Sequence, residues 1–514
     1  MSSVHRSVLF SALERYGSIL LVFAAMAVLS RLLSPAEFGV YAVISAILAV
    51  ISASYQEIGG ANYLIQKIAL SAADVRTAFT VTLMFSVAVT MAVVVAGVLI
   101  ARFYGQESLG TGLAVAAISF VLTPFSATIT ALYRREMQFG KLAVCNLIAN
   151  TASMIVAILL AALHYSFMAP VWGGVAGNFV LAALLATARR DIKLFRPSLA
   201  GATEVMGFGL YSSGISLINV FYNLAPQIFL ARILDFSAVG LYSRALGVTQ
   251  VFDKLIGQVL GPVMMPAIFQ QIGAGGELRL IYLDAIRSLT AVYWPSLAFM
   301  AIMAEPIILI WLGSSWLEIV PLVRLICIGY LALFAACLTY PVLVAAGRVH
   351  DALLSSLISL PPSLCLVFAA SFWGVTWVAA SMLVTLPFQA AVAIGFIAKR
   401  LGLTWSELFA ALWKSALVSL MSSIAALLFA VMISLDEIGM VSGLAAGSAC
   451  AAGAWLTGMT VTRHPLLEKI ANASNGLWDR RLNRLFDRRN TQKFAPPSRG
   501  GMFDRSVECR SRKT

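Results

Sequence analysis

The sequence predicts an all-α polytopic membrane protein of about fourteen transmembrane helices arranged as two parallel-repeat lobes. Three observations carry that expectation. Of 514 residues, 60% are hydrophobic and only 11% charged, where a soluble domain carries about 25% charged residues. Charge-free stretches repeatedly reach the roughly 20 residues that cross a bilayer as helix. A short motif also recurs at a constant offset of 201 residues. Such a composition excludes an ordinary soluble domain, a disordered chain and a secreted disulfide scaffold.

The spans follow in order. Residues 16–30 begin the first and 38–56 form the second; 77–101 and 108–133 are the third and fourth. Residues 142–188 are 47 positions without Asp, Glu, Lys or Arg, about twice one span, with a natural break at 164–174, HYSFMAPVWGG, where Pro and Gly interrupt. The seventh span is 205–231. The eighth, 241–266, contains Asp253 and Lys254. The ninth is placed at 288–312 and the tenth at 325–347. Another 47-residue double span, 352–398, breaks at 371–375, and 415–435 with 438–462 complete the set of fourteen. The opening MSSVHRSVLFSALERYGS has no signal-cleavage pattern, so the first apolar run reads as a retained span.

Short-loop charge sets the orientation. With the N-terminus cytoplasmic, inside loops hold fifteen Lys or Arg, among them Lys67, Arg76, Arg135, Arg189, Arg279 and Arg400, against five outside: Arg31, Arg102, Arg232, Arg244 and Arg324. Both termini then face the cytoplasm. Residues 463–514 hold 13 Lys or Arg and 5 Asp or Glu, so this tail supplies +8 of the +13 net charge. It reads as a solvated segment touching anionic headgroups. No interleaved aromatic pattern accompanies it, so nucleic acid is not an expected partner.

The recurring motif is RLLSPAEFGVYA from Arg31 and RILDFSAVGLYS from Arg232: Arg31, Leu33, Gly39 and Tyr41 match Arg232, Leu234, Gly240 and Tyr242. The same offset carries Trp172-Gly173 onto Trp373-Gly374. Six helices separate the copies, so the repeats are parallel, as in many transporters with a site between halves. The expected organisation is an N-terminal lobe at 1–188, a cytoplasmic linker at 189–204, a C-terminal lobe at 205–400, two further helices at 401–462, and the tail. Duplication without transport is the alternative.

The chemistry of common enzymes is missing. There is no GxxxxGK[ST] phosphate loop, and the histidines His5, His164, His350 and His464 are scattered. The six cysteines form no CxxC pair, and five lie in apolar runs, which reads as packed thiols. We expect no metal, no cofactor and no enzymatic activity. Polar residues inside spans carry the information instead. Asn219, Asn223 and Gln227 recur every four residues and share one helix face, as do Gln250, Lys254 and Gln258, with Asp253 beside them. Asn146 and Asn150 make a shorter stripe, and Glu57 closes the second helix. Two central charges cost roughly 5–7 kcal/mol to insert, and each Leu, Ile, Val or Phe returns roughly 0.3–0.6. Residues 245–269 hold eleven of those, so the eighth span is near break-even, and Lys254 and Asp253 belong in a wet interior. The competing reading of every stripe is helix–helix hydrogen bonding. Glu14, Arg15 and Arg244 read as helix-end charges that snorkel.

RLLSPAEFGVYA after the first helix, EIGGANYLIQK after the second and ALYRREMQFGKLA after the fourth resemble the polysaccharide flippases. These are the Wzx-type members of the multidrug/oligosaccharidyl-lipid/polysaccharide exporter superfamily, and the succinoglycan type is the most similar. The resemblance spans about residues 1–460. It implies translocation of undecaprenyl-diphosphate-linked oligosaccharide across the bacterial inner membrane for exopolysaccharide or lipopolysaccharide biosynthesis. It also implies a cation-lined cavity and an ion gradient of H+ or Na+, with polysaccharide polymerase and export machinery as partners beside membrane lipids. Lys254, Gln250, Gln258, Asn219, Asn223 and Gln227 are then substrate-binding candidates, and Asp253 and Glu57 ion-coupling candidates. The alternatives are a drug or metabolite exporter of the same superfamily and a repeat-unit polymerase. The polymerase normally carries a large periplasmic loop that this chain lacks.

Overall fold

The computed structural model describes residues 3–58, 61–67, 70–189, 192–251, 277–346 and 348–469. Residues Met1–Gly458 form one compact unit and Met459–Thr514 a second, of which 459–469 are described.

The described elements are helical. The first lobe consists of α1 (Ser3–Leu32), α2 (Pro35–Ile58), the short α3 (Ala61–Gln66), α4 (Ala72–Tyr104), α5 (Glu107–Arg135), α6 (Phe139–Ala162) and α7 (Met168–Arg189). The second begins with α8 (Ala202–Ile233), α9 (Phe236–Thr249), α10 (Leu278–Ile302) and α11 (Ala304–Trp311). It continues with α12 (Val320–Tyr330), α13 (Thr339–Ala345), α14 (Val349–Ser371) and α15 (Val375–Leu401), and two further helices follow, α16 (Trp405–Ser434) and α17 (Met440–Val461). Twelve helical stretches of the described residues are long and apolar enough to cross a membrane. The expected seventh span is formed as α8 and the eighth includes a stretch outside the described residues; neither is among the twelve. The chain is a multi-pass membrane protein.

Local chemistry explains the helix starts. Ser34 caps α2: its amide and hydroxyl both donate to the Glu37 carboxylate at 2.8 Å, while the Glu37 amide returns to Ser34 Oγ at 3.3 Å. Pro35 then occupies the first helical position, where its missing N–H costs nothing. Asp235 holds the equivalent place before α9, accepting from the Ala238 amide at 2.7 Å. Ser71 with Asp74 and Thr404 with Glu407 form the capping boxes of α4 and α16.

Two expected spans are corrected. The ninth, placed at 288–312, is α10 at Leu278–Ile302, ten residues earlier, and it carries Asp284 and Arg287. Pro306 lacks the N–H that would return to Ile302, so the helix stops and α11 starts afresh. At its other end Arg279 pairs with Glu407 of α16, which settles a charge that hydropathy alone had excluded. The tenth, placed at 325–347, is broken: α12 runs into a 3-10 stretch at Leu331–Leu338 before α13. The Trp294 indole donates to the Leu331 carbonyl there, at 2.8 Å.

Within the first lobe α6 packs on α1 and α7, and α5 on α4 and α7. In the second, α15 packs on α14 and α12, and α10 on α16. The lobes meet where α2 lies against α8 and α9. The largest core gathers there, with Val43, Ile44, Leu230, Val239, Tyr242, Trp316 and Ile326 at 1% exposure or less. The connecting segment is docked too. Its 3-10 turn, Ile192–Phe195, puts Phe195 against Phe79 and Phe125, and the Thr77 hydroxyl donates to the Ala200 carbonyl at 2.8 Å.

Candidate functional site

Nine residues into α9, the helix capped by Asp235, stands Arg244. It does not snorkel. It is 4% exposed, and its guanidinium lies 3.6 Å from the Phe38 ring centroid and 5.2 Å from that of Trp316. Its Nε and Nη2 have no hydrogen-bond partner, and no carboxylate pairs with it among the described residues. Desolvated cation–π contact returns about 2 kcal/mol or more. That offsets much of the roughly 2.5–3.5 kcal/mol cost of a central arginine, but the donors left unmade still cost about 1–3 kcal/mol. The in-plane edge of a face-stacked guanidinium is the fork that grips two oxygens of a carboxylate or phosphate.

Arg244 lines a cavity of about 300 Å³. Its walls are Leu21, Ala25, Met26 and Leu29 of α1, Phe38 and Tyr41 of α2, Asn150 and Ser153 of α6, and Pro170 of α7. Tyr41 and Pro170 also border a second cavity of about 310 Å³ whose polar lining is Ser45, Ser52, Ser119, Thr123 and Asn178. A cation of the second lobe therefore borders a largely apolar space in the first, next to a neutral cavity lined by hydroxyls. That arrangement can hold an anionic headgroup with hydroxylated substituents.

Lys254, Asp253 and Gln258 lie outside the described residues, as do the side chains of Asn219 and Glu57. Gln250 is half-buried and donates to the Tyr330 hydroxyl at 3.3 Å, joining α9 to α12. Asn223 is exposed on α8 and Gln227 half-buried. Asn146 donates to Glu14, and Asn150 to Ser18 Oγ at 3.0 Å, so this stripe stitches α6 to α1.

Sequence reasoning passed over two seams in the second lobe. Ser355, Ser359 and Ser363 on α14, and Ser381, Thr385 and Gln389 on α15, recur every four residues and are all at 9% exposure or less. Gln389 donates to the Tyr222 hydroxyl. The spacing was available as a signal, but mid-helix Ser bonds its own i−4 carbonyl, as Ser363 does at 2.7 Å, and so reads as neutral. Among the described residues no three His, Cys, Asp or Glu gather as metal ligands.

Known proteins share this architecture. The lipid II flippase MurJ, in an inward closed conformation, superposes with a TM-score of 0.71 at 12% identity, over 90% of this chain and all of that one. An inward-facing multidrug resistance MATE family transporter of the MOP superfamily gives 0.63 at 14% identity, over 75% of this chain and 94% of that one. Both likenesses establish the fold. The lipopolysaccharide biosynthesis protein WzxC of Escherichia coli K12 is 23% identical over 307 residues, 59% of this chain and 62% of that protein, so less than two thirds of its length is spanned. The succinoglycan biosynthesis transport protein ExoT of Rhizobium meliloti is 24% identical over 409 residues, 73% of this chain and 80% of that protein. The family described as polysaccharide biosynthesis protein matches residues 28–321, more than half of the 514 residues, and the chain belongs to that family.

Proposed function

We propose that this protein flips an undecaprenyl-diphosphate-linked oligosaccharide repeat unit from the cytoplasmic to the periplasmic leaflet of the bacterial inner membrane, for exopolysaccharide or lipopolysaccharide biosynthesis. The observation that carries the reading is Arg244: a buried guanidinium whose Nε and Nη2 are unbonded, beside a cavity between the lobes. The diphosphate headgroup must cross an apolar slab, and a fixed cation lowers that cost because Coulomb attraction strengthens as the local dielectric falls. The hydroxyl-lined neighbouring cavity suits sugar hydroxyls. Family membership and the relatives named for polysaccharide and lipopolysaccharide biosynthesis support the same reading.

Lys254 supplies a second phosphate contact in this scheme. Asp253 and Glu57 are the candidate groups for coupling to an H+ or Na+ gradient. Both termini are cytoplasmic, and the basic tail meets anionic lipid or the polymerase and export machinery. A deletion strain tests the proposal: it should accumulate undersized lipid-linked repeat units facing the cytoplasm, and a plasmid copy should clear them. Normal polymer output with no such accumulation would sink the reading.

A further inference from the structure

The segment between α10 and α12 belongs to the second lobe at both ends, yet its long-range hydrogen bonds go to the first. Residues 303–319 comprise α11, a turn at Leu312 and Gly313, and a 3-10 turn at Ser314–Ile319. Its inner face is fully buried at Ile308, Leu312, Trp316 and Ile319. Three long-range hydrogen bonds tie it to α1. The Trp316 indole donates to the Ser30 carbonyl at 2.7 Å, the Trp311 indole to the Phe23 carbonyl at 3.2 Å, and Arg31 Nη2 to the Ile310 carbonyl at 2.8 Å. Two of these are reciprocal caps. Ser30 and Ile310 lie in the last turns of α1 and α11, where helix carbonyls have no partner of their own. Each lobe thus completes a helix end of the other.

Such caps are replaceable. A carbonyl released from an indole or guanidinium is satisfied by water once the crevice is wet, so these bonds have two tolerable states: closed and dry, or open and solvated. A buried backbone ladder has no such second state. The strap also reaches the candidate site. The Trp316 ring stands 6.0 Å from Phe38, edge to face, and 5.2 Å from the Arg244 guanidinium. Through Trp316 the segment therefore borders two residues that line the cavity, Arg244 and Phe38, at the end of the helices away from the basic loops.

We propose that residues 303–319 are a latch: their release from α1 opens the Arg244 cavity at that end, and Trp316 couples the latch to whatever anion Arg244 holds. Only the export arm of the following test rests on the flippase reading.

The full-length protein in spheroplasts is treated with a membrane-impermeant maleimide, and modification of Leu312→Cys is followed by peptide mass spectrometry. Labelling should be slow in the otherwise unchanged chain. It should rise at least fivefold when Trp316→Phe or Arg31→Ala removes a cap. Leu113→Cys on α5, equally buried, should stay unlabelled in the same backgrounds, which separates local release from general loosening. Hydrogen exchange of wild type and Trp316→Phe in lipid nanodiscs should show faster exchange at 303–319 alone. In the export arm, a reducible bis-methanethiosulfonate linker joins Phe23→Cys to Trp311→Cys, whose native rings lie 5.4 Å apart. Export should stop with the linker and return with reductant. Unchanged Leu312→Cys labelling in both cap variants, or export continuing with the linker in place, overturns the latch. If the deletion strain accumulates no lipid-linked intermediate, the flippase reading fails while the maleimide arm still decides the latch.

Discussion

Gly39 and Gly240 stand back to back, and the space where each would carry a side chain is filled by a backbone carbonyl from the other's helix. A Cβ on Gly39 would collide with the Phe236 carbonyl and lie 3.0 Å from the Gly240 nitrogen. One on Gly240 would collide with the Pro35 carbonyl and lie 3.2 Å from the Gly39 nitrogen. Pro35 and Phe236 are themselves 201 positions apart, like the two glycines. The contact is thus symmetric under the sequence repeat: α2 and α9 cross at their N-terminal turns, and each glycine rests on the equivalent carbonyl of the other lobe. This close approach gives the repeated glycine its physical reason.

Gly39→Ala and Gly240→Ala should each destabilise the protein by about 1–3 kcal/mol or more, because the obstacle is backbone rather than a side chain able to rotate away. Gly395→Ala and Gly453→Ala are the controls: both glycines lie in helices with nothing within 4 Å of an added Cβ, where alanine gains up to about 1 kcal/mol. Thermal unfolding in detergent checks this. Equal melting temperatures for all four variants would remove the crossing as a structural constraint.

Arg244→Gln should lower export about tenfold or more at matched membrane abundance, with Arg244→Lys keeping part of it. Stability should change little, within about 2 kcal/mol. The variant forfeits cation–π contact with Phe38 and Trp316, but it also removes a buried charge whose donors are unmet. A large loss of melting temperature with undiminished specific export would make Arg244 a structural pillar instead.

The α1–α6 seam should behave in the opposite way. Asn146→Ala and Asn150→Ala each remove one interhelical hydrogen bond, worth about 0.6 kcal/mol and at most about 1.7 in a membrane. Export should stay near wild type while unfolding moves by one or two degrees. Abolished export from Asn150→Ala at normal stability would instead place Asn150, which also lines the Arg244 cavity, on the substrate path.

Reporter fusions test the topology. Fusions after Arg196 and after Arg400 should report cytoplasm, and one at Gly105, the left-handed C-cap that ends α4, should report periplasm. A periplasmic signal at Arg196 would shift every later helix and break the fourteen-span scheme.

Much of the architecture was decided by local sequence. Runs such as 77–101 are too apolar for water, and Ser34-Pro35-Glu37 caps a helix wherever it is placed. The motif at offset 201 was legible as a repeat, although its two sites differ in kind. Trp373-Gly374 does form a turn, with Gly374 at φ +111°, whereas Trp172-Gly173 lies inside α7, with Gly173 packed against Ala157 and Ser153 of α6. Tertiary structure decided the rest. Hydropathy is a sum over neighbours in the chain, so it placed the ninth span over a stretch whose one charge is Glu305 and could not see Arg279 meeting Glu407, or residues 303–319 folding onto α1. Arg244 read as a snorkelling helix-end charge because its position in α9 is local information. Its burial depends on Phe38 and Trp316, residues more than seventy positions away on either side, and only packing brings those rings to it.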